Sequence, residues 1–187
     1  MKKVSVVLVA LILFASIIVP SYADSARNLY TTERSALQAS VHIAKSGSSY
    51  SHPYISNGAP VKLVQDVVRS TSTTNYGEIM NHGGIDGSYG SHSKAAVKNI
   101  QPSGSKDGIV GPYTWRLLAD RLQVYQTIPW SNYTEIFIKP DPDQAITYNG
   151  TKVVLDGVVR IFFYGGSQGG IYVWRYNGTN IPKDSNS

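Results

Sequence analysis

The chain has 187 residues, with 17 Lys and Arg against 12 Asp and Glu, and no cysteine. The absence of cysteine removes disulfide staples and every cysteine-nucleophile mechanism, so a packed apolar core must hold the fold. Discounting Lys2 and Lys3 leaves 15 basic against 12 acidic residues, a mild excess that favours an anionic surface but is too weak to imply nucleic acid.

The first 23 residues read as a secretory signal peptide. Met1-Lys2-Lys3 is a basic start, residues 4–19 are apolar and uncharged, and Ser21 and Ala23 put small side chains at the cleavage positions. The apolar run is 16 residues long, short of the ~20 that a spanning helix needs. No cysteine follows it, which excludes a lipid anchor.

Residues 24–59 read as one helix and a linker. Leu37, Val41 and Ala44 lie on one stripe of a helix over residues 32–45, with Glu33 in its first turn and Gly47 as its stop. Residues 46–60 are rich in Ser, Gly, Pro and Tyr, as a linker is. A second helix is expected over residues 61–69, where Val61, Val64 and Val68 share a face and Pro60 suits the first turn. Residues 70–84 are polar and read as a long loop. From Gly90, Ala96, Val97 and Ile100 mark another helix, which Pro102 stops. Pro112 opens the next, with Trp115, Leu118 and Leu122 at three- and four-residue spacing.

Beyond Pro129 the composition shifts to Val, Ile and aromatics. Strands are expected at residues 135–139, 152–155, 158–164 and 171–176, punctuated by Asn149-Gly150, Asp156-Gly157 and Asn177-Gly178. This makes residues 130–180 a small antiparallel β region and the whole chain α+β.

One phrase occurs twice, 21 residues apart. Asp86-Gly87-Ser88-Tyr89-Gly90 is followed by Ser93, and Asp107-Gly108-Ile109-Val110-Gly111 by Thr114. Each copy reads as a turn that launches a helix. Glycine after the aspartate permits positive φ, and the carboxylate accepts from nearby backbone N–H groups. The hydroxyl bonds back to the helix start. Tyr89 and Val110 point inward, and the closing Gly90 and Gly111 sit where a side chain would crowd the junction. Both aspartates are structural on this reading.

The succession Val61-x-x-Val64-Gln65-x-x-Val68, Asp86-Gly87-Ser88-Tyr89-Gly90, Ala96-Val97-x-x-Ile100-Gln101 and Asp107-Gly108-Ile109-Val110-Gly111-Pro112-Tyr113-Thr114-Trp115-x-x-Leu118 resembles the small three-helix peptidoglycan-binding domain attached to many bacterial cell-wall hydrolases. The resemblance covers residues 60–124. It departs from the family pattern in a longer segment between Val68 and Asp86, and in Ile100 where the family usually has an aromatic. It implies three helices around a compact core. It also implies, as partner, peptidoglycan or another cell-wall polymer rather than nucleic acid or, once the leader is removed, membrane.

Such a ligand needs aromatic faces for sugar rings and cations for stem-peptide carboxylates. Tyr89, Lys94, Tyr113 and Arg116 are the candidates near the repeated loops, with Trp115 assigned to the core by its spacing to Leu118. Tyr172, Trp174 and Tyr176 alternate along the last strand and form either a stacking surface or, preferably, its buried face.

Catalytic constellations are absent from the sequence pattern. His42, His52, His82 and His92 form no H-x-x-x-H or H-E-x-x-H motif. His82 and His92 flank the Asp86 loop, which leaves a two-histidine site with Asp86 as a minor alternative. Glu33, Glu78 and Glu135 stand in contexts that suggest nothing, and Asp141 and Asp143 read as a turn. The expectation is an exported, wall-associated, non-catalytic protein without cofactor or metal. The alternatives are a wall hydrolase whose β region is catalytic, and a secreted interaction module that has lost wall binding.

Overall fold

The computed structural model describes residues 26–49, 51–129, 134–155, 157–164 and 170–177. The expected leader, residues 1–23, lies outside them. The chain enters through a short strand β1 (Arg27–Asn28) and a helix α1 (Thr31–Gln38). Glu33 fixes this helix start: its carboxylate accepts the Tyr30 N–H at 2.7 Å and both Arg27 guanidinium nitrogens at 2.9 and 2.7 Å.

The helix ends well before residue 45, because the next residues find tertiary partners instead. Ile43 and Val110 exchange backbone hydrogen bonds at 3.0 and 2.9 Å, and the Ala44 N–H donates to Ile55 O at 3.1 Å. The described part of residues 46–58, expected as a linker, is therefore tied into the fold, with Ile55 bridged in parallel to Ile43. Its far end is stitched to the first repeated loop: Tyr89 N–H donates to Ser56 O at 2.8 Å, and Gly58 N–H to Gly87 O at 2.9 Å.

Helix α2 (Ala59–Arg69) has apolar residues on more than one stripe, and every residue in it is buried. That pattern belongs to a helix covered on both sides. Three further helices lie against it: α3 (Thr73–Met80), α4 (Ser91–Ile100) and α5 (Pro112–Ala119). The sheet lies against it as well. The buried polar residues of α2 are tied down. Arg69 pairs with Asp66 at 2.6 Å and donates to Val154 O at 2.7 Å, which joins the helix to the β region.

Residues 60–124 thus hold four helices rather than three, since α3 occupies the expected loop at 70–84. The α3 sequence, TTNYGEIM, has weak intrinsic helix propensity. Its order comes from outside: the Ser72 hydroxyl caps it by accepting the Asn75 N–H at 3.1 Å, Ile79 is buried in the core, and Tyr76 stacks on Tyr148 at 4.2 Å.

Helix α5 stops at Ala119, and Leu122, expected as its last apolar residue, instead begins strand β2 (Leu122–Pro129). Strand β3 (Thr134–Pro140) follows, then the hairpin of β4 (Thr147–Tyr148) and β5 (Thr151–Lys152), then β6 (Val158–Tyr164) and β7 (Gly170–Asn177). Asn149 and Gly150 turn that hairpin at φ of 49° and 78°, the pairing that Asn-Gly favours. The strand expected at 152–155 shrinks to β5. The main sheet is antiparallel throughout, in the order β1-β2-β3-β6-β7. The α+β class follows. Tyr172, Trp174 and Tyr176 lie on β7, and their side chains are outside the described part.

One apolar core runs from Leu29 to Ile138 through Leu37, Leu63, Val67, Trp115 and Leu122. It crosses the boundaries expected at residues 60 and 124.

Candidate functional site

Each repeated loop is closed around a buried glutamine. In the first, Gln65 Nε2 donates to Asp86 Oδ1 (2.8 Å), Ser88 O (3.1 Å) and Ser93 Oγ (3.1 Å), while Gln65 Oε1 accepts the Gly87 N–H at 2.9 Å. In the second, Gln101 Nε2 donates to Asp107 Oδ1 (2.8 Å), Ile109 O (3.1 Å) and Thr114 Oγ1 (2.9 Å), while Gln101 Oε1 accepts the Gly108 N–H at 2.8 Å. The aspartates also accept the N–H two residues on, from Ser88 at 2.8 Å and from Ile109 at 2.9 Å. This accounts for the repeated phrase. Asp, Gly and Ser or Thr are the loop's half of a polar socket, and a buried glutamine fills it, Gln65 from α2 in the first and Gln101 just after α4 in the second. Gly87 and Gly108 have φ of 78° and 69°, as such a turn demands. Gly90 and Gly111 have negative φ, and a Cβ on Gly90 would meet nothing within 4 Å, so crowding is not what places glycine at position 90.

Tyr89 was expected both to pin its loop and to touch ligand. Only the first holds. It is 2% exposed, and its hydroxyl donates to Gly108 O at 3.0 Å, linking the two sockets. Burial first, and the nearby Asp107 carboxylate second, push its phenol well above the ordinary range, so it stays a donor. It offers no face to a sugar and leaves the set of candidate binding residues.

The other three candidates are at least partly accessible. Lys94 is half-buried, with its stem against Gly108 of the second loop. Tyr113 is 45% exposed at the start of α5, and the Arg116 guanidinium lies 5.6 Å from its ring centre. The three-residue spacing puts both on one surface. Trp115, between them, faces the other way: it is fully buried and donates from Nε1 to Val41 O at 2.8 Å.

A second cluster forms where α3 ends and α4 begins. Glu78, His82 and His92 each place one ligand-type atom within 4.8 Å of the others. His92 Nδ1 lies 2.8 Å from Glu78 Oε2, and the two imidazoles stack face to face with centres 3.4 Å apart and planes 8° from parallel. Asp86, the third member suggested by its place between the histidines, is not in this group; its Oδ1 serves the Gln65 socket. Glu78 takes that place. The signal that could have found it is Glu-x-x-x-His at helical spacing, Glu78 to His82.

Among the described residues no helix is long and apolar enough to cross a membrane. No known protein family, curated protein or solved structure matches the chain.

Proposed function

We propose that this is an exported, non-catalytic protein that binds bacterial cell-wall peptidoglycan through the face carrying Tyr113 and Arg116. The observation that carries the reading is that pair: an exposed ring and an exposed cation sharing one surface at the start of a helix whose orientation is fixed by a buried socket. Sugar rings stack on such a ring, and stem-peptide carboxylates pair with such a guanidinium. First-turn N–H groups of α5 add a local preference for anions. Lys94 supplies a further cation from α4, with its stem against Gly108 of the second loop. The resemblance of residues 60–124 to wall-binding modules points the same way.

Sedimentation with purified insoluble peptidoglycan tests it. Wild-type protein is expected to co-sediment, without clearing the suspension in a parallel turbidity assay. Replacing Tyr113 and Arg116 together by Ala should weaken sedimentation several-fold and leave the melting temperature within a few degrees of wild type. Wild-type protein that stays in the supernatant, or a double variant that binds equally well, refutes the reading. A fall in turbidity would identify a hydrolase instead.

A further inference from the structure

We infer that Glu78, His82 and His92 form a binding site for a divalent transition-metal ion of the zinc class. Two imidazoles and one carboxylate are a donor set that suits zinc and its neighbours, whereas magnesium and calcium prefer oxygen alone. The donor atoms lie within 4.8 Å of one another. Tetrahedral zinc, with bonds near 2.0–2.1 Å, holds its ligands about 3.3 Å apart. Side chains with this much exposure cross the difference by small rotations: His92 is 45% and Glu78 30% accessible.

The local framework brings the three together from two elements. Glu78 and His82 are four residues apart across the end of α3, so they project from the same side. His92 is the second residue of α4, whose first turn is held in the Gln65 socket through the neighbouring Ser93. Contact between α3 and α4 is therefore direct, and the histidine stack lies at their junction. To share an ion, the two parallel rings must open into a wedge, by rotation about their Cβ–Cγ bonds. Glu78 then turns from the His92 nitrogen to the metal. Three protein ligands leave the fourth position to water, as zinc sites with an open position do.

Calorimetric titration of the purified protein with zinc chloride should show one saturable site. Glu78→Gln, His82→Ala and His92→Ala should each weaken binding at least tenfold. Exchanging His42 and His52, whose rings also lie near each other at 5.4 Å, should change nothing. Histidine-selective NMR of the wild-type protein reads the site without any variant: zinc must move the imidazole resonances of His82 and His92 and leave those of His42 and His52 in place. Cobalt(II) should give the visible bands of a four-coordinate site. No saturable binding, resonance shifts confined to His42 and His52, or full affinity in the His82→Ala, His92→Ala double variant would each overturn the proposal.

Discussion

Replacing Gln101 by Leu tests the socket directly, because the substitution keeps roughly the same size and removes only the polar head. Four hydrogen bonds disappear: three donated by Nε2 and one accepted from Gly108 N–H. Their losses are unequal. Asp107 Oδ1 keeps the Ile109 N–H at 2.9 Å, and Ile109 O keeps the Thr114 hydroxyl at 2.8 Å. The Gly108 N–H is buried and loses its acceptor. An orphaned buried donor costs about 1–3 kcal/mol, and each net hydrogen bond lost adds about 1 kcal/mol. Allowing for the partners that remain satisfied, a destabilisation of about 2–4 kcal/mol is expected. Gln65→Leu is an internal replicate, since it strips the Gly87 N–H in the same way. The Tyr89 hydroxyl links the sockets at Gly108 O, so the double variant should depart from the sum by about 0.5 kcal/mol or more. Urea unfolding followed by tryptophan fluorescence measures this as a lower midpoint at constant slope. A loss under about 0.5 kcal/mol in either single variant would show that the sockets are decoration on a frame held by its apolar core.

Three glycines should rank by what a methyl group meets. Gly108→Ala puts Cβ 2.5 Å from Lys94 Cγ and 2.9 Å from the Lys94 carbonyl oxygen at a φ of 69°, and should cost about 2–3 kcal/mol. Gly87→Ala meets mainly the Lys62 side chain and should cost less, while Gly90→Ala meets nothing and should be near neutral; thermal melts give the order. Tyr89→Phe should cost about 1 kcal/mol at neutral pH through loss of the bond to Gly108 O. The raised phenol means the folded state holds a proton that the unfolded chain releases near pH 10.0, so stability is complete below that pH and falls as pH rises above it. Unfolding curves collected across that range should therefore be flatter for Tyr89→Phe than for wild type, and parallel curves would refute the assignment.

The loops were legible because every residue of the repeated phrase has a local job. Their glutamines were not, because Gln65 precedes its aspartate by 21 residues and Gln101 by only 6. No fixed period links them, and only folding shows that they do the same thing. Tyr113 and Arg116 were readable from helical spacing alone. Tyr89 was read correctly as facing inward, and that same burial removes the ligand contact also expected of it. The Glu78 cluster is hidden in the sequence by the weak helix signal of α3. With Thr, Asn and Gly spread through residues 73–80, α3 read as loop, and without a helix there is no reason to put Glu78 beside His82. Leu122 continued a helical pattern by spacing, yet pairing with Pro140 across β2 and β3 took it into the sheet.

The unequal lengths of the two sockets carry a further consequence. Both glutamines reach the same kind of turn, so the chain between glutamine and aspartate is free to vary in length so long as its ends meet. Closing 21 residues instead of 6 adds only about 1 kcal/mol of chain entropy, less than one socket is expected to return. The first socket thus acts as a clasp that sets α2 against the start of α4 whatever the length of chain it spans. Within that chain α3 is itself anchored, by Ile79 in the core and Tyr76 on Tyr148, so the room for change lies in the exposed residues 81–83. His82 stands in that exposed run, between Glu78 on the anchored helix and His92 just beyond the clasp, so the cluster joins a part of the chain that can vary to two that are held.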